Sequence, residues 1–126
     1  MAIKSVSGFT LYVQDVQRSV DFYHTLGFRL GEVTATNGRV YLNWFAVDFV
    51  AISSEDKAEF QAEATAEQKG NGIYINISVD DVDATYEFVK EAGMQPSSEP
   101  RDWPWGNREF VMRDPDGYKL VFFKKK

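Results

Sequence analysis

The sequence predicts an α+β fold made of two βαβββ modules. Three features of the chain point there. First, Gly8-Phe-Thr-Leu-Tyr-Val-Gln-Asp-Val-Gln-Arg-Ser-Val-Asp-Phe-Tyr-His-Thr-Leu-Gly27 resembles Tyr74-Ile-Asn-Ile-Ser-Val-Asp-Asp-Val-Asp-Ala-Thr-Tyr-Glu-Phe-Val-Lys-Glu-Ala-Gly93, with identities at Val13/Val79, Asp15/Asp81, Val16/Val82, Phe22/Phe88 and Gly27/Gly93. Second, each copy passes from alternating residues to apolar residues at helical spacing. Third, each is followed by β-type segments punctuated by turn residues. The boundaries fall at about 1–54 for module one, 55–70 for a linker and 71–126 for module two, within a single domain of 126 residues.

In the first strand Phe9, Leu11 and Val13 form one face, and Gly8, Thr10 and Tyr12 the other. Asp15 is placed to cap a helix whose buried stripe is Val16, Val20 and Tyr23, and Gly27 to stop it. A strand from Phe28 to Thr36 runs into Asn37-Gly38, a two-residue hairpin signal, and Arg39 to Ala46 returns. Phe49 to Ile52 is a short further strand. Between the modules, Glu55, Glu59, Glu63 and Glu67 recur every four residues, a like-charge spacing that weakens a helix, so a solvated helix or linker is expected.

Module two repeats the scheme. Ile73, Ile75, Ile77 and Val79 alternate with Tyr74, Asn76 and Ser78. Asp81 caps a helix with Val82, Tyr86 and Val89 inward, and Gly93 ends it. Glu109 to Arg113 and Tyr118 to Phe123 are strands around the turn Asp114-Pro115-Asp116-Gly117. Phe22, Phe88 and Phe122 are assigned to helix–sheet packing. The apolar strand faces belong under the helices. The mixed faces, with hydroxyls, an amide and rings, are expected to look into an open concavity, because those groups need partners or water.

Composition narrows the function classes. Fourteen basic residues against 19 acidic ones give a net charge of −5, contrary to the basic surface of a general nucleic-acid binder. No apolar run approaches a membrane span of about 20 residues. The opening Met-Ala-Ile-Lys-Ser lacks the apolar stretch of a signal peptide, so a cytoplasmic location is expected. The absence of cysteine excludes disulfides, thiolate metal sites and a cysteine nucleophile, and a single histidine, His24, excludes a histidine-rich metal site within one chain. His24 suits the C-terminal end of its helix, and Arg18-Ser19 the exposed helix face. The 10 Phe, 6 Tyr and 3 Trp make 15% of the chain aromatic, an excess that the core alone does not call for.

Val13-Gln-Asp-Val-Gln-Arg-Ser-Val-Asp-Phe-Tyr-His-Thr-Leu-Gly-Phe28, Val79-Asp-Asp-Val-Asp-Ala84 and Trp105-Gly-Asn-Arg-Glu-Phe-Val-Met-Arg-Asp-Pro-Asp-Gly-Tyr118 resemble the vicinal oxygen chelate superfamily, the glyoxalase and bleomycin-resistance fold. The resemblance covers nearly the whole chain. It implies that the two modules curl into an open, curved mixed-sheet barrel around a cavity, usually as a homodimer with composite sites. It also implies metal ligands on the first strand and the last strand of each module. Here those positions are Gly8, Tyr74 and Val121; the fourth, sought in Phe49 to Ile52, offers no acid. Glycine and valine bring no donor side chain and a lone tyrosine makes a poor divalent site, so neither metal nor another cofactor is expected.

The segment Pro100-Arg-Asp-Trp-Pro-Trp-Gly-Asn-Arg-Glu-Phe110 holds Trp103 and Trp105 in a proline-bounded loop. One indole packing over a sheet edge is the plain reading. A stacking wall for a planar or cationic ligand is the functional one. The pattern around Trp105 is similar to that of bleomycin-resistance proteins, in which the corresponding tryptophan lines the drug groove. The opposite wall would carry Tyr41, Asn43 and Phe45, or else Val40, Leu42 and Trp44. The candidate ligand-binding set is therefore Trp105, Tyr74, Thr10, Tyr12, Asn76, Trp103, Trp44 and Phe45, with no catalytic residue. Glu109 and Arg113 share a strand face and are read as a surface ion pair or strand-edge gatekeepers. The expectation is a metal-independent, homodimeric protein that sequesters a small molecule such as a bleomycin-like antibiotic. The alternatives are a metal-dependent lyase, isomerase or dioxygenase of the same superfamily, with Glu109 as a ligand, or a dimeric interaction module.

Overall fold

The computed structural model describes residues 2–52 and 69–126. The fold class is α+β, as expected. The chain divides into two compact units, Met1–Glu67 and Gln68–Lys126. The four-spaced glutamates of the expected linker lie outside the described residues.

Unit one contains β1 (Gly8–Val13), α1 (Val16–Thr25), β2 (Arg29–Val33), β3 (Asn37–Leu42) and β4 (Phe45–Ala51). Unit two contains β5 (Ile75–Ser78), α2 (Val82–Glu91), β6 (Arg101–Asp102), β7 (Asn107–Arg113) and β8 (Lys119–Lys125). Each forms a four-stranded sheet, in the orders β1-β4-β3-β2 and β5-β8-β7-β6. In both, the first strand pairs in parallel with the last and the other pairs are antiparallel.

The repeat read from the chain is physical at the helix ends. Asp15 accepts the Arg18 backbone N–H at 3.1 Å and Asp81 that of Ala84 at 2.9 Å, each satisfying one donor of the first turn. Gly27 and Gly93 both take positive φ, 110° and 86°, and donate to His24 and Lys90 carbonyls at 2.9 and 3.0 Å. Beyond them Phe28 and Met94 donate to Tyr23 and Val89 carbonyls, so both helices close with the same left-handed stop. His24 Nδ1 lies 3.0 Å from the Phe28 carbonyl oxygen, which occupies it with this same closure.

The helix-side core of unit one gathers Leu11, Val13, Val16, Val20, Tyr23, Val40, Val47 and Phe49. Tyr23 packs on Phe28 and Phe49, with ring centroids 5.4 Å away in both cases. Unit two buries Val82, Val89, Phe110, Met112, Leu120 and Phe122, with Phe110 stacked on its cross-strand partner Phe122 at 4.8 Å. Lys69 and Asp116, both buried, pair at 3.7 Å and hold the start of this unit to the Asp114–Gly117 turn. That turn is closed by Gly117 N–H to the Asp114 carbonyl at 2.9 Å, while Asp114 Oδ1 accepts from Asp116 and Tyr118 N–H.

Several element boundaries differ from expectation. Asn37-Gly38 does not turn a hairpin; it begins β3. Gly38 lies under α1, where an added Cβ would meet Val16 and Val20 methyls at 2.7 and 2.9 Å, so its glycine serves helix approach. The β2–β3 turn is made instead by Thr34–Thr36, with Thr34 Oγ1 accepting from Asn37 N–H at 3.1 Å. The strand expected over Arg39–Ala46 breaks at Asn43-Trp44, where Asn43 takes φ 49°, and the short Phe49–Ile52 strand becomes β4. In module two, β5 starts at Ile75, leaving Ile73 and Tyr74 exposed ahead of it. Phe88 is 50% exposed and is not a core ring. At about 100° per residue it points roughly 240° around the helix from Val82, away from the sheet.

Candidate ligand-binding site

The face of the second sheet turned away from α2 carries the most exposed chemistry. Trp103-Pro104-Trp105-Gly106 is a tight turn closed by Gly106 N–H to the Trp103 carbonyl at 3.1 Å, and Trp103 N–H donates to Asn107 at 2.8 Å. Proline presets φ at the second position, and Gly106 supplies the positive φ of 94° that lets β7 leave in register. The two indoles are thereby stacked, with centroids 4.8 Å apart and planes 11° from parallel. The Arg101 guanidinium lies over the Trp103 ring, Cζ to centroid 3.9 Å. Trp105 remains 62% exposed, a large apolar surface to leave in water. Glu109 Oε2 accepts from Trp105 Nε1 at 3.4 Å and Asn107 Nδ2 at 3.3 Å.

The hairpin is braced from its other side. Arg108 donates to both Asp83 oxygens at 2.8 and 2.9 Å and to Asp102 at 3.0 Å, while Lys126 reaches Asp102 at 2.6 Å. Arg108 holds the Asp83 carboxyl below the usual carboxylate range, and Lys126 followed by Arg108 does the same for Asp102. The two carboxylates in turn raise the pKa of Arg108. These contacts tie β6 and β7 to the first turn of α2, so the ring stack stands on a fixed base.

The other expected ligand-binding residues are distributed as follows. Asn76 pairs in register with Val121 on the open face of the second sheet, and Tyr74 lies under the Lys119 ammonium, 4.7 Å from the ring centroid. In unit one, Thr10 and Tyr12 share the open face with Asp48 and Val50. The choice left open for the returning strand is decided by register: Tyr41 is on that open face and Val40 is on the helix side. Arg29 covers the Tyr41 ring at 4.9 Å. Phe45 is on the helix side, edge-on to Phe9 at 4.9 Å, and Trp44 sits in the turn, 96% exposed. Arg113 donates to the Gly117 carbonyl at 2.7 Å and not to Glu109, so the expected surface ion pair is replaced by a turn contact.

Metal-ligand positions of the fold can also be tested. The registers β1·β4 and β5·β8 are equivalent, so Val121, opposite Asn76, corresponds to Asp48, opposite Thr10. The fourth position is therefore Asp48, one residue before the segment searched in the sequence, and it is an acid. Both its oxygens are taken by Arg39, at 2.6 and 3.1 Å. Val121 is 4% exposed and offers no donor. A Cβ on Gly8 would run into the Ala46 carbonyl oxygen, so no ligating side chain fits there. The Lys119 ammonium over Tyr74 would repel a cation. The donor set does not fit a divalent metal.

Arg101 is not among the candidates that the sequence offers, and Glu109, expected opposite Arg113, accepts instead from Trp105 and Asn107. Their signal was the alternation Arg101, Trp103, Trp105, Asn107, Glu109, which a hairpin folds onto one side.

Comparisons with known proteins agree with this architecture. The Bacillus subtilis protein YraH is 27% identical over 124 residues, covering 90% of this chain and 93% of its own. The bleomycin resistance protein of Geobacillus stearothermophilus is also 27% identical, covering 91% of this chain and 92% of its own. The solved structure of the bleomycin resistance determinant encoded on transposon Tn5 superposes with a TM-score of 0.70 at 19% identity, over 98% of this chain and 99% of that one. Residues 5–122 match the model of one family, and the chain belongs to it: the Glyoxalase/Bleomycin resistance protein/Dioxygenase superfamily.

Proposed function

We propose that the protein is a metal-independent small-molecule-binding protein of the bleomycin-resistance type, acting in the cytoplasm as a homodimer that sequesters a planar or cationic ligand. One observation carries the reading. The Trp103–Trp105 stack is held rigid by its turn while Trp105 stays 62% exposed. A rotamer-poor ring fixed in place loses little entropy on stacking, which is what a binding platform needs. The side chains at Gly8, Asp48, Tyr74 and Val121 support metal independence, and the net charge of −5 favours cations. The bleomycin resistance relatives make a bleomycin-like antibiotic the first ligand to try.

Titration of metal-free bleomycin against the chain, followed by tryptophan fluorescence, tests this directly. Saturable quenching is expected, weakened about 5- to 150-fold by Trp105→Ala, in line with the roughly 1–3 kcal/mol that a stacked aromatic contributes. A flat titration, or one that Trp105→Ala leaves unchanged, would remove the drug-binding reading.

A further inference from the structure

Among the described residues, no cation pairs with the Glu109 carboxylate. Directly across the β6–β7 pair stands Arg101, a position from which an arginine ordinarily meets the opposing acid. Arg101 instead lays its guanidinium on Trp103. On Glu109's own strand, Arg113 donates to Gly117, and Lys119 lies over Tyr74. Among the described residues, the ion pairs join Arg39 to Asp48, Lys69 to Asp116, Lys90 to Glu87, and Arg108 and Lys126 to Asp83 and Asp102; none reaches Glu109.

The hydrogen bonds of Glu109 are equally lopsided. Both neutral donors, Trp105 Nε1 and Asn107 Nδ2, fall on Oε2 at long distances. Oε1 receives no donor among the described residues, yet the side chain is half-buried. No buried side-chain oxygen among the described residues lacks a partner, so Oε1 is open to solvent and free to take an incoming donor. The ring column is directional too. Arg101 and Trp105 between them cover Trp103, so a further flat group can be added only on Trp105's outer face. The indole of that ring is the one that touches the carboxylate.

We propose that the site selects planar cations and that Glu109 is its charge-selecting residue. The flat part of the ligand lies on the outer face of Trp105, and a cationic N–H at its edge donates to Glu109 Oε1. This rests on the ring stack being the ligand site. A charge-assisted N–H···O bond is about twice as strong as a neutral one, and partial burial protects it from salt. Neutral flat molecules therefore gain the stacking alone, and anions meet the carboxylate.

The test uses tricyclic probes of one ring size and different charge: proflavine as cation, acridone as neutral ring and acridine-9-carboxylate as anion. Each is titrated against the full chain by tryptophan quenching, at low and high salt. Proflavine is expected to bind about 10-fold or more tighter than acridone, with the carboxylate weakest. Glu109→Gln is expected to bring proflavine down to the acridone level and leave acridone unchanged. Glu109→Lys is expected to reverse the order in favour of the carboxylate probe, and Trp105→Ala to weaken all three. Equal binding of proflavine and acridone, or a cation preference that survives both Glu109 substitutions, overturns charge selection while the ring-stack site stands. Failure of every probe to bind overturns the ring-stack site, and the selection falls with it.

Discussion

Two hairpins occupy equivalent places in the two units, and they have opposite characters. In unit one, β2 turns into β3 through Thr34–Thr36, small residues closed by the Thr34 hydroxyl, which donates to the Asn37 carbonyl and accepts from the Asn37 N–H. In unit two, β6 turns into β7 through Trp103-Pro104-Trp105-Gly106, which holds a stacked ring pair whose outer member, Trp105, is exposed. The sheets behind them diverge in the same sense. Arg39 faces Asp48 in a two-contact ion pair, and the corresponding pair in the second sheet is Val111 facing Val121. The first open face spends its charges on itself. The second has valines in that place, with Lys119 over Tyr74, Arg113 on its own turn and Glu109 in no ion pair among the described residues. One scaffold, repeated, can thus keep its caps and core while the open faces of the two copies diverge in chemistry.

The shared part is where the largest effects should be found. Phe49→Ala and Phe122→Ala truncate equivalent core rings, each opposite the β-strand position that faces the helix. Each should cost about 3–5 kcal/mol in urea denaturation. A much smaller loss in one unit would show that the two cores are not equivalent.

Gly38→Ala sharpens the comparison next. The register places Gly38 opposite Phe49 and Phe110 opposite Phe122, so α1 sits on a glycine where α2 sits on a phenylalanine. A methyl group at 2.7 Å from Val16 must push the helix away, at about 1–3 kcal/mol in the same denaturation measurement. Unchanged stability would mean that α1 has room to spare.

Acid should act through unit two. Arg108 holds the folded Asp83 carboxyl below the ordinary carboxylate range, and Lys126 with Arg108 does so for Asp102. Groups with depressed pKa stabilise the fold fully above the unfolded value, about 3.9, and that contribution is lost as pH falls through the folded value. Tryptophan fluorescence of the ring stack should therefore hold down to about pH 4 and change below it. Arg108→Ala should reduce that acid-linked change without abolishing it, because it removes the main partner of Asp83 while Lys126 still holds Asp102.

The smallest expected effect is that of metal. Zn²⁺, Mn²⁺ or Ni²⁺ added to the purified protein should shift the melting temperature by about 1 °C or less, since no affinity for the folded state means no linkage. A large, stoichiometric stabilisation would break the reading of Asp48 as an ion-pair residue and revive the enzymatic alternative.

What the sequence by itself determined is local. Asp15 and Asp81, Gly27 and Gly93, and the alternation in β1 specify caps, stops and faces through contacts within a few residues, and these are legible without a fold. The two βαβββ modules follow from their repetition, whereas the exposure of Trp105 is a finding of the structure. The Asn37-Gly38 signal misled because glycine can serve two ends. Whether it turns the chain or lets a helix approach depends on what packs above it, here Val16 and Val20. Partner choice lay equally out of reach. That Asp48 belongs to Arg39, that Arg101 leaves Glu109 for Trp103, and that Val121 and Asp48 are counterparts are facts of strand register. Register is set by the packing of whole faces, and a shift of one residue would have exchanged every pair. Only the tertiary structure decided which charges meet across the strands and which do not.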